Sequence, residues 1–232
     1  MEAILNTSDK LVLKTKDNHP LLNALRRSIH EVDTLAIDEV EFYKNDSALY
    51  DEMLALRIGL VPLVTEKKMG NKTEIELKLS KKGPCTVYSG DLHGDAAVVY
   101  KNIPLVLLEK DQELEFVATA RLGKGITHAK HIPGLGHYRH LLSIQSTDSA
   151  VEKIVMQAKG YLKPQKHKDG WMCDLPEGVV EEITRLDKNA ITETDEVILI
   201  IESYGVMTPA DILTNAIRVL NTNLEQVEEV LT

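Results

Sequence analysis

Four histidines crowd one short stretch of the chain. In THAKHIPGLGHYRH (127–140), His128, His131, His137 and His140 form an H-x2-H-x5-H-x2-H pattern. Imidazole is a good zinc ligand and paired ligands two residues apart are common, so this spacing could build a metal centre. Structural zinc sites made only of histidine are unusual, however, and Lys130 and Arg139 are poor neighbours for a cation. The stretch therefore reads as a solvated or partner-facing basic loop, with no metal assigned. A metal-dependent enzyme built on His128–His140 is kept as the rival reading.

Other chemical signals are thin. Gly123 and Gly125 flank Lys124 but lack the G-x4-G-K-[ST] spacing of a phosphate loop. Gly134 and Gly136 are not followed by a helical pattern, so all four read as turn glycines. There is no G-x-S-x-G and no H-E-x-x-H, and Cys173 has only the distant His167 for company. Asp46, Asp51 and Glu52 are scattered along solvated stretches. No catalytic residue is assigned.

Composition narrows the classes further. Hydrophobic residues make up 43% and charged residues 27% of 232 positions, ordinary for a globular protein with a sizeable core. Aromatics are only 4%, which argues against base-stacking platforms, and a net charge of −9 repels phosphate. Direct nucleic-acid binding is therefore not expected. Two cysteines, Cys85 and Cys173, are too few for a disulfide framework. With no apolar run approaching membrane-spanning length and no leader-like start, the expected location is the cytoplasm. The sequons at Asn6 and Asn71 then carry no meaning.

The elements that must position these residues are α+β in type. In HPLLNALRRSIHEV (19–32), Asp17 or Asn18 can cap a helix and Pro20 fits its first turn. Leu22, Leu25, Ile29 and Val32 share one side, while Arg26 and Arg27 lie on the flank and the opposite face. At the far end, Thr208, Pro209 and Asp211 start a second helix. Leu213, Ile217, Leu220, Leu224, Val227 and Leu231 follow at 4-3-4-3-4 spacing, a seam of coiled-coil type. Both stripes can pack on the protein's own sheet or meet a partner's helices, and the length of the second favours a partner. Between them, 11–14, 35–43, 74–80, 113–122 and 196–205 read as strands. Segment 47–59 reads as a helix with Leu49, Met53 and Leu56 aligned, and 174–187 as a second short helix.

Residues 18–63 taken together carry N-A-L-R-R, then A-I-D-x-V-E-F, then D-E-x-L-A-x-R-I-G-L-V-P-L. With G-K-G-x-x-H-A-K at 123–130 and E-S-Y-G-x-x-T-P at 202–209, this order resembles the alpha-like subunits of DNA-directed RNA polymerase. The third element is closer to the archaeal D subunit and the eukaryotic third-largest subunit than to bacterial alpha. The resemblance implies a dimerisation domain from both chain ends (1–44 and 196–232), carrying an inserted, mainly β domain (45–150). It implies a non-catalytic assembly subunit that pairs with a small alpha-like partner of L type and docks the second-largest and largest subunits. Nucleotidyl transfer and its magnesium would belong to other chains.

On that pattern the dimer interface is expected at Leu22, Leu25, Ile29, Val32, Leu213, Ile217, Leu220, Leu224, Val227 and Leu231. Large-subunit docking is expected at Arg26, Arg27, Arg57, His128 and Lys130. A homodimeric alpha-like scaffold is the alternative, because a symmetric pair can use a similar stripe. Many archaeal relatives carry a ferredoxin-like domain with C-x2-C-x2-C-x3-C-P runs. Here 151–195 holds Cys173 alone, so it reads as a degenerate remnant with no iron–sulfur cluster and no other cofactor.

Overall fold

A computed structural model describes residues 1–70, 72–167 and 170–231. Asn71, a sequon position, lies outside the described residues. The elements run β1 (Glu2–Asn6), β2 (Lys10–Lys16), α1 (His19–Ser28), β3 (Thr34–Asn45), α2 (Asp51–Gly59), β4 (Glu74–Lys82) and β5 (Cys85–Tyr88). Then come β6 (His93–Gly94), β7 (Pro104–Leu108), β8 (Glu113–Gly123), β9 (Gly134–Ile144) and α3 (Ser149–Gln157). The chain ends with β10 (Gln165–His167), β11 (Gly170–Cys173), α4 (Glu177–Leu186), β12 (Ile191–Ser203) and α5 (Pro209–Leu231). The fold is α+β, as the pattern of elements predicts.

The chain divides into two compact units, 1–24 with 136–202, and 25–135 with 203–232. This division differs from the expected one, which closed the insert at 150 and set 151–195 apart. The reason lies in strand order. The first unit is built on a six-stranded sheet ordered β1-β2-β12-β9-β11-β10, so β9 and the hairpin of β10 and β11 belong to the sheet that holds β2. Expecting the histidine stretch to be loop throughout is also corrected, since β9 carries His137 and His140.

Within this first unit β12 is the centre. Val197 to Ile201 are all at most 1% exposed, the mark of a strand covered on both faces. Its register with β2 sets Ile200 opposite Val12 and Leu199 opposite Leu13. The 151–195 segment shares a core with β9, in which Val151 and Val155 of α3 and Ile183 of α4 pack with Leu142, Ile144, Cys173 and Leu175. That core exists because α3 and α4 each place an apolar stripe on the sheet. A buried ion pair closes the region. Asp174, 1% exposed, accepts from Arg139 Nε at 2.6 Å and from the Tyr161 backbone N–H at 2.7 Å.

The second unit contains a four-stranded sheet ordered β3-β8-β4-β6 and a hairpin of β5 with β7. Period-2 burial along β8 sends Leu114, Phe116, Ala118 and Ala120 inward, opposite Leu77 and Leu79 of β4. Phe42 and Phe116, the two phenylalanines, meet at 5.6 Å between ring centroids. Helix α2 covers this core, but with Leu54 and Ile58, both 0% exposed. The expected stripe of Leu49, Met53 and Leu56 is therefore corrected, since Met53 and Leu56 are each 54% exposed. The helix begins at Asp51 rather than Ser47, so Leu49 precedes it and does not share its face.

Asp174→Ala should leave the Arg139 guanidinium and the Tyr161 N–H without their acceptor. The expected loss is about 3 kcal/mol, held to that size because Arg139 is partly solvated. Urea unfolding should show a lower midpoint at unchanged slope; an unmoved midpoint would mean that the pair does not hold this segment.

Candidate functional site

Helix α5 dominates the candidate surface. Its start forms as the sequence predicts: Thr208 Oγ1 accepts from the Asp211 N–H at 3.2 Å and donates to the Asp211 carboxylate at 2.9 Å. Pro209 occupies the first helical position, where its missing N–H costs nothing. The chain reaches this cap from β12 through a turn at Gly205, whose φ of +88° suits glycine. A Cβ there would also lie 2.4 Å from Val99 Cγ1, so the glycine of E-S-Y-G is required twice over. Lys67 adds an ion pair to Asp211 at 2.8 Å, and this cation helps hold the Asp211 carboxyl below its ordinary range.

With 23 residues, α5 is roughly 34 Å long at the usual rise. It carries two neighbouring stripes. Ile212 and Ala216 are fully buried, and Asn223 donates to the Glu31 carboxylate at 3.2 Å, so this stripe faces the chain's own second unit. The seam expected from sequence lies one residue round the helix. Leu213 and Leu220 are half-buried, Ile217 is 41% exposed, and Leu224, Val227 and Leu231 are 59%, 57% and 81% exposed. A run of large apolar side chains is thus left in water along the helix. Scattered exposed apolar residues are normal, but an aligned row on one helix is the form of an unfilled contact.

The first helix behaves differently. Asn18 Oδ1 caps it by accepting from the Leu21 N–H at 3.3 Å, and α1 gives way to a 3-10 turn at Ile29–Glu31. Leu22, Leu25, Ile29 and Val32 are 1%, 5%, 2% and 1% exposed within the chain itself. These four residues, expected at the dimer interface, are thus buried within the chain itself. Arg26 is half-buried and Arg27 exposed, and among the described residues no ion pair engages Arg27.

The remaining docking candidates are largely committed within the second unit. Arg57 donates from Nε to the Leu105 carbonyl at 2.9 Å and from a terminal nitrogen to the Pro104 carbonyl at 2.6 Å, anchoring α2 to β7. Lys130 is 13% exposed and pairs with Asp38 at 2.7 Å, a contact that holds the Asp38 carboxyl below its ordinary range. These two cations therefore do internal work first. His128 stays exposed, its Nδ1 accepting from the Lys130 N–H at 3.1 Å. His128, Lys130, Leu56 and Leu60 line a shallow groove of about 220 Å³ beside the exposed face of α2.

The four histidines serve different ends. His131 is 5% exposed, with Nδ1 on the Thr34 carbonyl at 2.7 Å, and burial lowers its pKa. Gly123 makes this possible, because a Cβ there would sit 2.5 Å from His131 Nε2. Gly125 likewise leaves room for Ile132 and the His30 carbonyl. The G-K-G-x-x-H motif is therefore one of close packing, not of phosphate binding. His137 is partly buried in the first unit, its Nδ1 has no hydrogen-bond partner among the described residues, and burial lowers its pKa. His140 meets His19, a neighbour that no local spacing in the sequence could reveal. Cys173 is 1% exposed and burial pushes its thiol up to about 11, so it is a core side chain. No helix among the described residues is long and apolar enough to cross a membrane.

Comparison with known proteins shows the family. The family model for the RNA polymerase Rpb3/RpoA insert domain matches residues 30–147, spanning β3 to β9 and the exposed face of α2. A DNA-directed RNA polymerase subunit Rpo3 of Pyrococcus horikoshii is 34% identical, over 91% of this chain and 92% of its own length. The Rpo3 subunit of Thermococcus kodakarensis is 33% identical, over 87% of this chain and 85% of its own. That of Methanothermobacter thermautotrophicus is 34% identical, over 90% and 89%. The motifs on α1, α2, Gly123–Lys130 and Gly205–Pro209 thus sit in a chain that belongs to the Rpo3 family of alpha-like subunits of DNA-directed RNA polymerase.

Proposed function

We propose that this chain is a non-catalytic assembly subunit of DNA-directed RNA polymerase, acting in the cytoplasm. The exposed seam of α5 pairs with a small alpha-like subunit of L type. Arg26 and Arg27, with the exposed face of α2 and His128, dock the second-largest and largest subunits. The observation that carries this reading is the uncovered row Ile217, Leu224, Val227 and Leu231, beside a separate stripe that already satisfies the chain's own core. An amphipathic helix with a second apolar stripe is suited to a partner's helices. Leu22, Leu25, Ile29 and Val32 serve that interface from beneath, by fixing the segment from α1 to β3.

Leu224→Asp should leave the free chain folded, because the side chain stands in water there. It should weaken pairing with the small subunit roughly 100-fold, since the complex would bury an unpaired carboxylate. Leu220→Asp should act in the same direction. Titration of the two purified subunits measures both, and unchanged pairing would remove α5 from the interface. Recovery of the chain only with itself would favour the homodimeric scaffold.

Arg27→Glu should leave that heterodimer intact while weakening association with the second-largest subunit by roughly 30-fold, the scale of a reversed interfacial charge. Stepwise reconstitution separates the two events. Loss of the heterodimer in this variant would show that the two faces have been assigned the wrong way round.

We further propose that the chain carries no iron–sulfur centre. Support comes from its cysteine content: Cys173 stands alone in 151–195, and one thiolate cannot hold a cubane cluster. Anaerobically purified protein should lack stoichiometric iron and acid-labile sulfide, and finding both would contradict the proposal.

A further inference from the structure

At one end of the six-stranded sheet, three neighbouring strands and the first turn of α1 bring together side chains from distant parts of the sequence. Asp17 follows β2 directly, and its N–H is fixed to the Asp195 carbonyl at 2.7 Å. His19 is the first residue of α1, His140 lies in β9, and Glu193 and Thr194 lie in β12. The Nε2 atoms of His19 and His140 face each other at 3.0 Å. Asp17 Oδ1 lies 3.6 Å from His19 Nε2, and Glu193 Oε2 lies 3.8 Å from His140 Nε2. The ligand atoms of Asp17, His19 and His140 are all within 4.8 Å of one another.

We propose that Asp17, His19 and His140, joined by Glu193, form a binding site for a divalent transition ion of the zinc class. The tautomer of His140 is the first support. Its Nδ1 lies 3.0 Å from the Thr194 carbonyl, which can only accept, so Nδ1 carries the hydrogen and Nε2 presents its lone pair. Fixing one ring nitrogen on a backbone carbonyl is how proteins orient a ligating imidazole. The Tyr138 hydroxyl stands 3.4 Å from Nδ1 of His19 and can do the same there.

Spacing is the second support. Two imidazole nitrogens on a tetrahedral zinc lie roughly 3.3 Å apart, given Zn–N bonds of about 2.0–2.1 Å. The observed separation is close to this, and the rings meet edge-on at 63° rather than stacked. Charge is the third. A plain His–His hydrogen bond would satisfy the two nitrogens, yet it would leave Asp17 and Glu193 facing them with no Lys or Arg ion pair among the described residues. A dication answers all four groups at once. The mixed nitrogen and oxygen donor set suits zinc, whereas calcium and magnesium prefer oxygen alone. Bound there, the ion would tie the start of α1 to β9 and β12, within the first unit.

The test is titration of the full chain with zinc by calorimetry, and with cobalt(II) by visible absorption. One ion per chain is expected, with cobalt bands of a low-coordinate nitrogen and oxygen site and a rise in Tm with zinc. His19→Gln and His140→Gln should each weaken binding roughly 100-fold or more, beyond the loss typical of outer-shell changes. His93→Gln, outside the cluster, should leave zinc affinity unchanged. Should His140→Gln fail to fold, His19→Gln, an exposed position at the helix start, decides alone. No saturable binding up to about 1 mM zinc, or equal affinity in wild type and His19→Gln, would overturn the proposal and leave a hydrogen-bonded histidine pair.

Discussion

The burial of one strand organises the first unit. Val197 to Ile201 of β12 are apolar on both faces, so they can lie only inside a sheet, with β2 on one side and β9 on the other. That requirement draws the N-terminal hairpin and the histidine-rich strand together within the first unit. Continuity of backbone then does the rest. β12 leaves its sheet at Ser203, turns at Gly205 and enters α5 through the Thr208 cap. The same strand supplies the Thr194 carbonyl that orients His140.

Helix α5 illustrates how one amphipathic element can answer two demands. Ile212 and Ala216 satisfy the core of its own unit, and the adjacent stripe leaves Ile217, Leu224, Val227 and Leu231 exposed. Apolar area exposed on a long helix is costly in water at roughly 25 cal/mol per Å². A chain that keeps it gains the free energy back only when a partner covers the row. The α2 helix repeats the theme on a smaller scale. Leu54 and Ile58 hold it to the sheet, while Met53, Leu56 and Leu60 stay outside.

Several motif residues work through packing rather than chemistry. Gly123 and Gly125 permit His131, Ile132 and the His30 carbonyl to approach the backbone more closely than any side chain would allow. Arg57 and Lys130, which look like free docking cations in the sequence, are engaged within their own unit, Arg57 donating to two carbonyls and Lys130 pairing with Asp38. Lys130 is largely buried and must find a partner, and Asp38 supplies it within the same unit. Pro62 is of the same kind: its carbonyl accepts from the Val99 N–H at 3.0 Å, so the extended V-P-L segment is a small ladder of the insert.

What the sequence by itself determined is local or periodic. Thr208, Pro209 and Asp211 fix the start of α5; the alternation of β8 fixes which residues point inward; the ordered motifs identify the family. Tertiary structure alone decided which stripe of α5 is covered, which face of α2 looks outward, and that Leu22, Leu25, Ile29 and Val32 are already buried. It alone placed His19 against His140 across 121 positions, while His131 went to the Thr34 carbonyl. The physical reason is the same in each case. Periodicity and capping act between residues a few positions apart and can be read from their spacing. Burial and polar pairing depend on whatever the rest of the chain brings alongside, and spacing carries no record of that.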